Sequence, residues 1–248
     1  MGHLQHLADL TYPEAEKALK GATCLLPIGA MEAHGPHLPL GTDTVLSEEV
    51  ARRAGEKLRE WKPTTVILPA IAVTPAKFAA AFGGTLSLSE GTLTAIVGEL
   101  AKSLEKQGAL KMVLISAHVD PSNLKALYAA VDASKDLPKL KVIFPDITKK
   151  PWVERLPDEF KKGGAHAGNF ETSMMMAAKL KAVRESERIG LTKVEVDLGA
   201  KIKGGAKNFE ECGGDFAYFG DPAGATKDEG ERCLDLLRDI VVEAATAT

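Results

Sequence analysis

Apolar residues along the chain fall into two alternating kinds of segment. Short β-branched and aliphatic runs occupy 23–28, 64–73, 112–117 and 141–145. Between them the apolar positions return at helical spacing: Leu93, Ile96, Val97, Leu100 and Leu104 share one face, and Ser89 stands where an N-cap belongs. Residues 44–58 and 123–131 also read as helices, and 165–181 as a loop that enters one. Thr226-Lys-Asp-Glu229 is a capping box ahead of a last amphipathic helix carrying Leu234, Leu237 and Val241. Strands alternating with helices predict an α/β fold, with a largely parallel sheet covered by helices. The glycine-rich stretch 203–215 reads as a long loop. No repeat or boundary breaks the pattern, so one domain over 1–248 is expected.

Composition narrows the function classes. With 248 residues and 45% hydrophobic content the chain can bury a sizeable core. Lys+Arg 31 against Asp+Glu 34 leaves a net charge of −3, and the basic pairs Lys149-Lys150 and Lys161-Lys162 are interrupted by acids. That balance gives no electrostatic footprint for nucleic acid. Cys24, Cys212 and Cys233 are odd in number and widely spaced, which predicts neither a disulfide framework nor a thiolate zinc site. Cys24, within TCLLPI, reads as a small buried hydrophobe. The start MGHLQHLADL lacks a basic-then-apolar leader, and no run reaches spanning length. A cytoplasmic protein without a membrane partner is expected.

The candidate chemistry lies just after the strands. Open parallel sheets bind ligands beyond the carboxyl ends of their strands. The stretch PIGAMEAHGPHLPLGTD (27–43) places Glu32, His34 and Asp43 after the first run, and MVLISAHVD (112–120) places His118 and Asp120 after another. Mixed imidazole and carboxylate suits zinc, manganese or iron. Blander readings compete. Loop histidines are more often structural than ligands, and Asp120-Pro121 is also a helix start, with Asp as cap and Pro at the first position. His37 reads as loop packing or as a partner that orients a ligand. Glu171 reads as a complement to a helix dipole. His3 and His6 carry no assigned role. A Gly-x-Ser-x-Gly elbow and a P-loop lysine are both missing.

Taken together, these residues resemble the creatininase (creatinine amidohydrolase) family. PIGAMEAHGPHLPLGTD resembles its opening metal-binding motif, and AFGGTLSL (81–88) its phenylalanine–glycine–threonine–leucine segment. LISAHVDPSN (114–123), HAGNFETS (166–173) and GDPAGATKDEGE (220–231) follow in family order. The resemblance implies a three-layer α/β/α fold, often a hexamer, hence a homo-oligomer. It implies two divalent metals per chain, zinc or manganese with iron a third choice. Glu32, Asp43 and His118 would hold one, and His34, Asp43 and Asp120 the other, Asp43 bridging. His166 would bind substrate or transfer protons, a role that Asp120 could share.

The departures bear on function. Where many relatives read His-Gly-Gly-Asn, this chain reads His118-Val-Asp-Pro121; where many carry glutamate after His-Ala-Gly, it has Asn169. Among these motifs Asp120 is then the carboxylate left to complete the second metal. Tryptophan and acidic residues that surround creatinine are replaced by Lys162-Gly163-Gly164-Ala165, and a tyrosine by Val119. A substrate other than creatinine is expected. The leading reading is a hydrolase in which metal-activated water attacks a carbonyl of a small, cyclic amide or formamide C–N bond. The alternatives within the family are deformylation of a formylamino-pyrimidine nucleotide, C–C hydrolysis of a cyclic diketone from inositol breakdown, and peptide trimming. From another class comes a degenerate metal- or metabolite-binding protein.

Overall fold

The computed structural model describes residues 4–61, 64–163 and 166–247. Strands β1 (Gln5–His6), β2 (Thr23–Ile28), β3 (Thr65–Ile67), β4 (Lys111–Ser116) and β5 (Lys141–Ile143) form one sheet in the order β1-β3-β2-β4-β5. Every neighbouring pair is parallel. The helices are α1 (Tyr12–Leu19), α2 (Thr42–Leu58), α3 (Glu90–Lys106), α4 (Pro121–Ala133), α5 (Asp158–Lys161), α6 (Asn169–Lys179), α7 (Glu185–Arg188), α8 (Leu198–Lys203) and α9 (Lys227–Thr246). Among the described residues no helix is long and apolar enough to cross a membrane.

The period of two along the central strands divides the core. Leu25, Val113 and Ile115 point to one face, where they meet Leu46 and Val50 of α2, Met174 of α6 and Leu234 and Ile240 of α9. Cys24, Leu26, Met112 and Leu114 point to the other, against Leu19 of α1, Leu93 and Val97 of α3 and Leu127 of α4. Every residue of β2 is buried, as a strand covered on both faces must be. The result is the expected three-layer α/β/α arrangement. Cys24 is fully buried in this core.

Local signals account for most boundaries. The Ser89 hydroxyl accepts from Thr92 N–H at 3.1 Å to open α3, and Thr226 accepts from Glu229 N–H at 3.2 Å to open α9. The run 64–73 behaves differently from its pattern: only Thr65–Ile67 is strand. Pro69 has no N–H to continue the ladder, so the chain runs on irregularly, rejoining β2 where Ile71 bridges Ile28. Two elements carried no signal in the apolar pattern. β1 is two residues long, and α1 is set by a reciprocal box between Thr11 and Glu14.

Helices α6 and α9 cross with almost no clearance. A Cβ on Gly230 of α9 would lie 1.8 Å from the Ser173 carbonyl oxygen of α6. Gly230→Ala should therefore force the helices apart and cost about 1–3 kcal/mol, the usual penalty for overpacking. Thermal unfolding should record a fall of about 2–4 °C for each kcal/mol lost; an unchanged midpoint would refute the close crossing.

Candidate metal centre

The sheet topology opens a crevice at one place. β2 leaves through α2 toward β3 on one side, and β4 leaves through α4 toward β5 on the other. The two connections diverge between the carboxyl ends of β2 and β4, the position where such sheets hold ligands. The Ser47 hydroxyl ties those ends, donating to Ile28 O at 2.8 Å and accepting from Ala117 N–H at 3.0 Å. The loop after β2 folds back on itself, with Glu32 N–H bonded to Leu40 O at 3.0 Å. Gly29 makes this return feasible, because a Cβ there would sit 2.4 Å from Thr44 N. Asp43 thereby lands in the first turn of α2, where the helix dipole favours a carboxylate.

Six side chains from five parts of the chain converge here. Glu32 and His34 come from the loop after β2, Asp43 from α2, His118 from the end of β4, His166 from the turn before α6, and Glu171 from α6 itself. All are buried. His118 Nδ1 lies 3.0 Å from Glu32 Oε1 and 3.2 Å from Asp43 Oδ2. His34 Nε2 lies 3.3 Å from Asp43 Oδ1 and 3.6 Å from Glu171 Oε2. His166 Nδ1 is 3.8 Å from Glu32 Oε1. Three donor groups are close enough to hold an ion: Glu32, Asp43 and His118; His34, Asp43 and Glu171; and Glu32, His34 and His166.

Backbone carbonyls set the tautomer of each ring. His118 Nε2 donates to Pro75 O at 2.8 Å, His34 Nδ1 to Glu32 O at 3.1 Å, and His166 Nε2 to Ala33 O at 2.9 Å. A carbonyl can only accept, so in every ring the nitrogen facing away carries the proton. Once each ring is neutral, the nitrogen facing the carboxylates is the one that offers a lone pair, as ligation requires. Asn123 Nδ2 donates to His118 O at 2.8 Å and braces the turn after β4. Glu171 is braced by Ala167 N–H, 2.6 Å from its Oε2, and that residue adopts a left-handed φ of 49° to reach it. Farther out, the Glu159 carboxylate caps α6, accepting from Asn169 N–H at 3.1 Å and Phe170 N–H at 2.8 Å.

The electrostatics of the cluster is that of a site built for cations. Burial raises Glu32, and it lifts Glu171 to about 8, with His34 opposing and Asp43 adding to the rise. Burial works against charge on His34, yet Asp43, Glu171 and Glu32 outweigh it and raise His34 to about 10. His118 is likewise raised, by Glu32 and Asp43 against burial. Asp43 is held low: burial disfavours its charge, but His34 and His118 beside it prevail. Glu32 Oε2, His34 Nε2 and both Asp43 oxygens are buried without a hydrogen-bond partner. Such groups are costly unless a cation satisfies them, so the donor set fits divalent metal.

Asp120 stands outside all three donor groups. Its Oδ1 accepts from Ser122 N–H at 2.7 Å and from the Ser122 hydroxyl, and its Oδ2 accepts from Phe78 N–H at 3.1 Å. It caps α4, with Pro121 at the first position, and borders the cavity with its oxygens engaged. Glu171, by contrast, belongs to the donor group with His34 and Asp43. The sequence signal was the spacing from Ala167 to Glu171, one helical turn, which returns the carboxylate to the turn holding His166. His37 reaches Thr172 Oγ1 at 2.8 Å, next to Glu171, and burial and the His34 charge hold it down to about 4. His6 lies in β1, remote from the cluster, and His3 is outside the described residues.

The chain is similar to known proteins over most of its length. The family model described as creatininase, creatinine amidohydrolase, matches residues 8–245. A mycofactocin precursor peptide peptidase of Mycolicibacterium smegmatis is 30% identical over 211 residues, covering 84% of this chain and 78% of its own. The creatinine amidohydrolase of Pseudomonas putida is 28% identical over 191 residues, 69% of this chain and 70% of its own. Among solved structures, one given as "Creatininase Mn" superposes with a TM-score of 0.73 at 22% identity, covering 98% of this chain and 97% of that one. The chain belongs to the creatininase family.

Proposed function

We propose that this chain is a divalent-metal-dependent amidohydrolase that cleaves a C–N bond of a small amide. The observation that carries the reading is the buried set of unpartnered donors on Glu32, His34 and Asp43, facing one another across the crevice. Glu32, Asp43 and His118 would hold one ion, and His34, Asp43 and Glu171 a second, with Asp43 shared; zinc and manganese suit these ligands. Bound there, such ions supply Lewis-acid polarisation of a carbonyl and acidify water toward neutrality. The intact donor set argues against a degenerate binding module.

The remaining chemistry falls to the protein. Burial and the charge of His34 keep His166 well below its ordinary value, hence neutral at physiological pH. Its Nε2 is occupied by Ala33 O, while Nδ1 faces the carboxylates with its lone pair. It can take a proton from the attacking water and deliver it to the leaving nitrogen. Phe209 lies against its ring, tilted, with centroids 4.3 Å apart. A small cyclic amide or formamide is the preferred substrate. A peptide amide is the second reading, favoured by relatives named as peptide peptidases at 30% identity.

Four outcomes test these assignments. Asp43→Ala should abolish bound metal, about two equivalents per chain before substitution, together with amide hydrolysis; a metal-free variant that still hydrolyses would sink the reading. Glu171→Gln should bind one ion fewer by elemental analysis. By contrast Asp120→Ala should keep the full metal content and lose about 1 kcal/mol of stability as a lost helix cap. The fourth outcome concerns protons. His34, raised to about 10, is protonated at neutral pH in the metal-free protein, and ligation needs it neutral. Loading should release protons, and affinity should rise with pH up to about 10. Calorimetry in buffers of differing ionisation enthalpy measures this, and buffer-independent heats would refute it.

A further inference from the structure

The wall that closes the metal centre from outside carries no charge of its own. The cavity is about 50 Å³, with Glu32, Asp43, His118, His166 and Glu171 on its inner side. Facing them are Phe78, Val119, Pro121, Leu198, Ile202 and Phe209. Asp120 also borders the space, but Phe78 N–H and the Ser122 donors occupy its oxygens. Among the described lining residues there is no lysine or arginine. The neighbouring Lys77 is engaged by Glu90 at 2.8 Å.

Four of these six, Phe78, Leu198, Ile202 and Phe209, belong to a unit distinct from the sheet cores, while Val119 packs against one of those cores. Leu198, Phe209, Cys212 and Phe219 pack with Phe78 and Ala79 in a cluster of their own, which shares no buried member with the two flanking the sheet. Close approaches at two glycines seat it: a Cβ on Gly163 would fall 2.5 Å from Leu198 N, and one on Gly214 would fall 2.3 Å from the Phe219 ring. A cavity of this size admits only a few atoms beside the ligands, so α8 and Phe209 must shift to receive a substrate. A separate cluster permits that without opening the sheet. A charged substituent against such a wall would lose its water and gain no counter-ion, whereas each buried methylene is worth about fourfold in affinity.

We propose that α8 and Phe209 are the specificity wall of the enzyme, selecting an amide with an uncharged apolar group beside the scissile carbonyl. Phosphate- or carboxylate-bearing substrates are excluded, which removes nucleotide formamides from the candidates. This inference rests on the amidohydrolase reading, so the test separates the two. The full chain loaded with zinc is titrated calorimetrically with acetohydroxamate, isovalerohydroxamate and succinic monohydroxamate. Isovalerohydroxamate should bind at least about tenfold tighter than acetohydroxamate, as two or more buried methylenes require, and succinic monohydroxamate should gain nothing. Ile202→Lys, at a half-buried position, should cut the isovaleryl-over-succinyl preference by about tenfold or more with the melting temperature nearly unchanged. If that variant does not fold, Val119→Lys supplies the same readout. Equal or reversed affinities, or a preference indifferent to both lysines, overturn the wall while leaving the hydrolase intact. Failure of even acetohydroxamate to bind overturns the metal centre, and the wall with it.

Discussion

Three carboxylates, those of Glu32, Asp43 and Glu171, share a space from which water is almost excluded. Two like charges about 4 Å apart repel by about 4 kcal/mol at an effective dielectric of 20, so three cannot ionise together without cations among them. Three imidazoles interleave with them, and two of these, His34 and His118, are driven to hold protons by that field. The neighbourhood can be read as the means of keeping this set in place. The first turns of α2 and α6 present their dipoles to Asp43 and Glu171. Backbone carbonyls orient each ring, and Glu159 anchors the start of α6 from a distance.

That demand explains why the layers differ in character. The sheet and its helices form two dense apolar cores that fix where the strands end. The cover over the cluster is smaller, aromatic, and seated by backbone contacts that only glycine allows. A rigid floor and a separable roof suit a centre whose ligands must not move while its substrate must enter.

Much of this was legible in the residues. The alternation at 23–28 and 112–117 located the two central strands, and the polar residues after them located the crevice. Ser89 and Thr226 marked helix starts because their side chains act locally, within one turn. Long-range choices were harder. Asp120 and Glu171 were both carboxylates at helix starts, and local spacing cannot show what else each one reaches. Asp120 Oδ2 meets the amide of Phe78, remote in sequence, whereas Glu171 Oε2 faces His34 Nε2. Pro69 ended a strand that hydrophobicity alone would have prolonged, and β1 was too short to leave a period. Of the aromatic cover, Phe209 and Cys212 lay inside the glycine-rich stretch, which showed no periodicity, while Phe78, Leu198 and Phe219 come from separate segments.

The hydroxyl of Ser47 bears on how such a crevice arises at all. Ile28 O and Ala117 N–H lie where the next rung between β2 and β4 would form, and the hydroxyl stands between them as acceptor and donor. It acts as a wedge: the ladder is unzipped one step early, yet no backbone group is orphaned. The two strands are thus joined through a single oxygen atom at the point from which Glu32 and His118 continue into the crevice. A methyl in its place would leave Ile28 O and Ala117 N–H without the partner that joins them.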